Sequence, residues 1–427
     1  MKQFVDIFNL IIFAVFTLMY AYQVLYTIVG FIYRKPLPND EPPGAFHRFA
    51  VIIAARNERT VIGHLIASIQ NQNYPRNALD VIVIADNCTD DTAEICRNMG
   101  AIVYERQDTE KIGKGYALDY LFKTMIANGT FEDYEGYCVL DADNLLDENF
   151  IAEMNKMFDK GYRALTSYRN SKNYGDNWIS AGYALWFMRE ARYLNNPRMR
   201  LGSSCAISGT GFLVHRDLIA KNQGWKYHLL TEDIEFTIDS VIAGEKIGYC
   251  EHAVLYDEQP TTMRQSWDQR LRWAKGFYQV ISHYGIRLWK NIFMSRKKAL
   301  PCFDMFMTVA PAYLFTLLSL LLNLTILIIS LCNPGLFADY EGIRKATWGA
   351  VSASLGSFYC MFLLMGTLTL ITEWKKIKCP KGKRIFYLIL FPVYLFTYVP
   401  ISVVALFKKV IWRPVKHTEA KTLDEVR

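Results

Sequence analysis

None of the nine cysteines stands in a C-x-x-C pair or at metal-ligand spacing. Cys88, Cys96, Cys138, Cys205 and Cys250 are scattered, and Cys302, Cys332, Cys360 and Cys379 lie in or beside apolar runs. That spacing excludes a thiolate zinc site, makes a disulfide framework unexpected, and fits reduced packing residues in a cytoplasmic setting. The sequence also lacks an internal repeat, a low-complexity tract and a long block of basic residues. The net charge is +7, but the basic residues are dispersed and several flank apolar runs. Anionic lipid is therefore the simpler partner, and no nucleic acid is expected. Charge itself is missing from residues 7–33, 305–338, 346–372 and 385–407. Each of these runs meets the roughly 20-residue requirement of a spanning helix. The first has no small-residue cleavage site and ends in Arg34 and Lys35, as expected of an anchor and not of a signal peptide.

What is present divides the 427 residues into zones. A first transmembrane helix is expected over 1–35, a soluble domain over 47–260, and amphipathic interface helices over 261–300. A C-terminal transmembrane region over 301–409 and a cytoplasmic tail over 410–427 complete the chain. The positive-inside rule puts Arg34 and Lys35, the basic stretch 374–384, and Lys408 and Lys409 on the cytoplasmic side. These assignments conflict, because four full spans from an outside N-terminus leave the tail outside. Either the tail is external, or one apolar run is re-entrant or interfacial. Pro392 and Pro400 mark the last run as a candidate, and Pro311 and its extra length mark 305–338 as the other.

Within the soluble zone, short apolar runs at 50–55, 80–85, 101–104 and 136–140 read as strands. Helical patterns at 61–70, 91–99 and 116–127 separate them. This α/β alternation predicts a mainly parallel sheet covered on both faces, with ligands at the carboxyl ends of its strands. Glu58, Asp86, Asp141 and Asp143 all fall at or just after such ends. From 261 to 293, Trp267, Trp273, Phe277 and Trp289 alternate with arginines and lysines, a composition suited to a helix in the membrane interface.

Several motifs carry chemistry. Asp141 and Asp143 alternate with Ala142, so an extended backbone sends both carboxylates to one face, where a cation relieves their repulsion. A single Asp-x-Asp is common in surface loops, and its place after an apolar run is what raises it above that. Asp86 can accept bonds from a nucleobase imide or a ribose hydroxyl. Its other reading is a helix cap, but Thr89 or Asp90 already serves there and leaves Asp86 free. Lys114, flanked by Gly113 and Gly115, can reach a phosphate beside a helix start. Thr231 can cap a helix whose first turn holds Glu232 and Asp233, and the helix field would keep Asp233 ionised, as a general base requires. The alternative is a carboxylate that merely favours the helix dipole. Gln269, Arg272 and Trp273 share one helix face. Gln269 and Arg272 can bond a diphosphate, and Trp273 can floor a sugar. In the tail, His417 reads best as an ordinary exposed histidine.

Together these motifs resemble the processive family 2 glycosyltransferases, the cellulose, hyaluronan and related β-glycan synthases, from about residue 49 to 276. The resemblance implies a Rossmann-like GT-A fold inserted between transmembrane helices of a bacterial cytoplasmic membrane. It implies an inverting, processive transferase that polymerises a UDP-sugar, best UDP-glucose, into a β-linked polysaccharide exported through its membrane helices. Alternatives are a UDP-N-acetylglucosamine polymer or a non-processive transfer to a lipid acceptor. The implied roles are Asp233 as catalytic base and Asp141 and Asp143 as ligands of Mg²⁺ or Mn²⁺. Ala55, Glu58, Asp86, Lys114, Asp141, Gln269 and Arg272 would contact the donor. Gly209 and Thr210, in the loop 203–212, would contact the acceptor together with Glu232 and Trp273. For that loop, packing of a tight turn is the competing reading.

Overall fold

The computed structural model describes residues 1–34, 44–310, 313–412, 414–415 and 417–427. Lys35 and Pro311, used in the topology argument, and Arg413 and Lys416 of the tail lie outside the described residues.

The apolar runs of the soluble zone form strands because they are buried on both faces. β1 (Phe49–Ala55), β2 (Leu79–Asp86), β3 (Ile102–Arg106) and β4 (Gly136–Asp141) are joined to β5 (Leu145–Leu146), β6 (Ala164–Ser171), β7 (Phe212–His215) and β8 (Ile247–Asp257) in one sheet ordered β3-β2-β1-β4-β7-β6-β8-β5. The half β3-β2-β1-β4 is parallel, as the strand–helix alternation predicts. The other half is mixed. β7 runs antiparallel to both β4 and β6, and β8 is parallel to β6 with a bulge between Ser167 and Tyr168. Side chains of alternating parity fill the two faces: Ile52, Ile84 and Val139 on one, Val51, Ile53 and Leu140 on the other.

A single helix, Met263–Met294, takes the place of the expected interface helices, and Thr262 caps it by accepting from the Gln265 amide at 3.3 Å. One face packs on the helix Glu232–Ala243 and on Tyr398–Phe407, while Ile286, Trp289 and Phe293 are exposed on it.

Among the described residues, three helical segments are long and apolar enough to cross a membrane: Lys2–Ile32, Tyr340–Thr372 and Lys381–Phe407. The run 305–338 does not form one helix. Its first residues end the helix Ala299–Val309, and a separate helix covers Tyr313–Cys332. Buried ion pairs fasten these helices to the soluble domain. Asp304 receives both Arg198 Nε at 2.7 Å and Arg198 Nη2 at 2.9 Å, with Tyr26 of the first helix donating at 2.9 Å. Glu373 receives Arg192 at 2.6 Å and Tyr168 at 2.7 Å.

The last apolar run breaks at Thr397, between its two prolines, into Lys381–Phe396 and Tyr398–Phe407. A residue near its start and one beyond its end touch the soluble domain. Tyr387 donates to the Gly175 carbonyl at 3.4 Å, and beyond the other end His417 reaches Glu58 at 3.0 Å. Between them the run lies along the domain: Arg270 donates to the Tyr394 carbonyl and Thr397, and Lys275 to the Ala405 carbonyl. A Cβ at Gly182 would sit 2.4 Å from the Tyr394 ring, so only glycine permits this approach.

Candidate active site

The carboxyl ends of β1, β2 and β4 open into a cavity of about 830 Å³. It gathers Ala55, Glu58, Asp86, Lys114, Asp141 and Asp143 on one side. Gly209, Glu232, Asp233, Gln269, Arg272 and Trp273 line it on the other. Of the residues singled out from the sequence, Thr210 alone is turned away. It is 4% exposed, donates to Asn144 at 2.5 Å and accepts from the Asp141 amide at 2.9 Å. Its side chain latches the loop to β4 and offers no face to an acceptor. Tight packing also explains Gly211: φ is +65°, and a Cβ there would lie 2.0 Å from Leu255.

Asp86 is not free. Strand register places it opposite Arg106, which donates to it at 2.6 Å, and both side chains are buried. Burial outweighs that pairing and pushes its carboxyl up. Arg106 has no signal in the sequence beyond its place at the end of a strand.

Lys114 opens the helix Lys114–Ala127 after Gly113, whose φ is +133°. Its ammonium bridges Asp141 at 2.5 Å and the Gly209 carbonyl at 2.9 Å. Asp143 is deeper, accepting from the Glu258 amide at 2.9 Å. Burial would raise its carboxyl, but His417, Lys172 and that amide hold it below the usual range. Among the described residues no cluster of three or more acidic, histidine or cysteine side chains is placed to hold a metal. Two hard carboxylates at a strand end nonetheless fit Mg²⁺ or Mn²⁺, which accept phosphate and water oxygens for the remaining positions.

Asp233 accepts from the Gly209 amide at 2.6 Å. Its carboxyl is not lowered by the helix field as expected. Burial raises it, against the Ile234 and Gly209 amides, Lys114 and Arg272. Burial and the adjacent Asp233 push Glu232 up to about 7. Thr231 makes no side-chain cap bond, and its hydroxyl is buried without a partner among the described residues.

Gln269, Arg272 and Trp273 share the cavity with Asp233, as their spacing predicts. Gln269 Oε1 is buried with no partner among the described residues, a polar atom left for a ligand. Arg272 donates to the Leu230 carbonyl at 3.1 Å. Trp273 meets Tyr183 and Phe187 edge-on at 5.7 and 6.0 Å, which fixes its ring.

The tail corrects another expectation. His417 is not an exposed histidine. Its Nδ1 lies 3.0 Å from both Glu58 oxygens, its Nε2 lies 4.0 Å from Asp143, and it lines the cavity. Burial alone would lower its pKa, but Asp143, Glu58 and Glu258 overcome it and push it up to about 10. Trp412 of the same segment lies under the Arg56 guanidinium at 5.7 Å. Arg169, also in the cavity, pairs with Asp257 and stacks over Phe187 at 3.7 Å.

The family described as "Glycosyltransferase like family 2" matches residues 47–276, more than half of the chain. The chain belongs to that family, and it is a glycosyltransferase. It is 27% identical over 294 residues to the "Probable glycosyltransferase YdaM" of Bacillus subtilis, covering 63% of each. It is 25% identical over 299 residues to the "Beta-monoglucosyldiacylglycerol synthase" of Nostoc sp., covering 67% of this chain and 60% of the relative. It is also 25% identical over 280 residues to the "Poly-beta-1,6-N-acetyl-D-glucosamine synthase" of Staphylococcus aureus, covering 61% and 64%. The chain thus spans about three fifths of the length of these curated relatives. Among solved structures, the mannosyltransferase PcManGT from Pyrobaculum calidifontis, in complex with GDP-Man and Mn²⁺, superposes with a TM-score of 0.53 at 18% identity, over 94% of this chain and 99% of that one. The shared fold is GT-A-like, here with an N-terminal apolar helix and further apolar helices after the domain.

Proposed function

We propose that this protein is a membrane-embedded, inverting glycosyltransferase that extends a β-linked polysaccharide from a UDP-sugar, best UDP-glucose. One observation carries the reading: the cavity holding Asp233 and Trp273 continues past Trp186 and Phe187 to Phe16 and Tyr20 of the first helix and Phe358 of Tyr340–Thr372. A product sugar leaving Asp233 therefore has a continuous path, walled by aromatic rings, toward the membrane helices.

In this reading Ala55, Glu58 and Asp86 receive the nucleoside. Lys114, Gln269 and Arg272 hold the diphosphate, and Arg272 offers it a planar fork. Asp141 and Asp143 would hold Mg²⁺ or Mn²⁺, which supplies positive charge opposite the leaving diphosphate. Asp233 takes the proton of the acceptor hydroxyl as that oxygen bonds to the anomeric carbon and the sugar–phosphate bond breaks. One displacement needs one base and inverts an α-linked donor to a β-linkage. Trp273 supports the acceptor sugar, with Gly209 and Glu232 beside it.

The outer cavity favours a second reading. Leu317, Leu320, Leu355, Met361 and Leu364 wall it as well, a surface suited to acyl chains. The similarity to a β-monoglucosyldiacylglycerol synthase agrees with a lipid acceptor. Incubating the purified protein in phosphatidylglycerol-containing vesicles with single labelled UDP-sugars and Mg²⁺ or Mn²⁺ decides between them. Water-soluble or insoluble polymer, cut by a linkage-specific β-glucanase, supports the first reading. Label that partitions only into organic solvent as a monoglycosyl lipid overturns it.

A further inference from the structure

A second cavity, of about 680 Å³, lies away from the strand-end cleft. Its walls come from the connection between Tyr340–Thr372 and Lys381–Phe396, from β6 and β8, and from the last residue of the chain. Five cationic side chains line it, those of Lys375, Lys376, Lys378, Arg384 and Arg427, and no acidic side chain does. Two of the five are neutralised from outside: Lys376 pairs with Glu373 at 3.0 Å, and Arg427 with Asp147 at 2.8 Å and Glu148 at 3.1 Å. The other three have no acidic partner among the described residues. Lys378 donates only to the Asp424 carbonyl at 2.9 Å, and Arg384 only to the Cys379 and Trp374 carbonyls at 2.6 and 2.8 Å. Neutral carbonyls orient these side chains without cancelling their charge. Arg384 is further fixed over the Trp374 ring at 4.5 Å. Lys375 is exposed and makes no hydrogen bond or ion pair to any described residue.

We propose that this cavity is a binding site for a phosphate group, and specifically for the phosphodiester headgroup of an anionic phospholipid. The five cationic residues line one concavity, whereas a diffuse basic margin would spread them along the surface. The choice of a lipid source rests on position: the cavity sits where two apolar helices, both within segments long enough to cross a membrane, emerge beside the soluble domain. Basic pockets between such helices on the cytoplasmic side select anionic headgroups. The site also touches the chain's end, through Lys378 on Asp424 and through Arg427, while Val426 is buried against Leu145 and Tyr256. A bound headgroup would thereby help seat the segment that leads back to His417. This inference does not depend on which sugar or acceptor the enzyme uses.

The test uses the full-length protein, purified and delipidated in phosphatidylcholine bicelles and titrated with phosphatidylglycerol, with bound lipid measured by native mass spectrometry. The wild type should retain phosphatidylglycerol over phosphatidylcholine. Lys375→Glu with Lys378→Glu should weaken that retention by about tenfold or more, since each basic residue near an anionic surface contributes roughly 1 kcal/mol. Lys375→Glu alone, which disturbs no protein contact, should show a smaller loss in the same direction. Lys408→Glu with Lys409→Glu, basic residues outside the cavity, should change retention little. Equal retention of both lipids by the wild type, or unchanged retention in both cavity variants, would overturn the proposal. Lysine-dependent binding of inorganic pyrophosphate without any preference between the lipids would overturn the lipid assignment.

Discussion

Asp143 and Asp233 line one cavity, and the proposed reaction gives them different tasks that substitution should separate. Asp143→Asn leaves the side-chain volume nearly unchanged and removes a charge proposed to ligate the metal, so the fold should persist while transfer falls by ~10²-fold or more, because charge stabilisation at a leaving diphosphate is worth several kcal/mol. A chelator should inactivate the wild type, and added Mg²⁺ or Mn²⁺ should restore it. Full activity in chelator would remove the metal role. Asp233→Asn should bind UDP-sugar about as well as wild type and lose ~10²–10⁴-fold in transfer, since the base acts on the acceptor and not on the nucleotide. Burial raises the Asp233 carboxyl. A proposed base must be ionised to act, so the rate should fall with decreasing pH through a value above the ordinary aspartate range. A pH–rate profile of kcat that stays flat down to that ordinary range would contradict the assignment.

At the scale of elements, the helix Met263–Met294 is where sequence reasoning reaches furthest. A 3.6-residue period alone places Gln269, Arg272 and Trp273 on one face, and the helix then delivers them to Asp233. The strand-end rule likewise places Glu58, Asp86, Asp141 and Asp143 in one cleft. What the sequence hides depends on distant contact. The Asp86–Arg106 pair follows from the register of β2 with β3. His417 meets a partner 359 residues away, so no local pattern reports its burial. The sign of the Asp233 shift turns on tertiary burial outweighing a local helix field. The mixed half of the sheet escapes for a similar reason, because β7 inserts between β4 and β6 only once the chain has doubled back. For Trp273, edge contacts with Tyr183 and Phe187 leave the indole fixed at the cavity wall. Trp273→Ala should therefore shorten the product or divert turnover to donor hydrolysis while donor affinity holds. Trp273→Phe should retain more function because it keeps an aromatic face. Long polymer from folded Trp273→Ala would refute a stacking role.

At the scale of the whole molecule, the contacts of the last apolar run favour one answer to the topology that charge counting leaves in conflict. Lys381–Phe407 contains 27 residues, enough to cross a bilayer if straight. It is broken at Thr397, and the residues before and after it both bond the soluble domain. A full crossing would place those two ends some 30 Å apart on opposite sides of the hydrocarbon core. The contacts instead bring the tail to the cleft, with Trp412 beside Arg56 and the Thr418 and Glu419 amides on Glu258 at 3.0 and 2.9 Å. These contacts fit a run that does not cross fully, with Arg270 satisfying the Tyr394 carbonyl beside the break and Lys275 the Ala405 carbonyl in the last turn of Tyr398–Phe407. The tail should therefore share a compartment with the soluble domain, while the N-terminus lies across the membrane from both. Epitope tags at the two termini, probed by protease in inside-out and right-side-out vesicles, read this directly. The C-terminal tag should be cleaved only in the vesicles that expose the soluble domain, and the N-terminal tag only in the opposite set. Cleavage of the C-terminal tag from the far side would show that the run crosses fully, and would separate His417 from Glu58 by the width of the membrane.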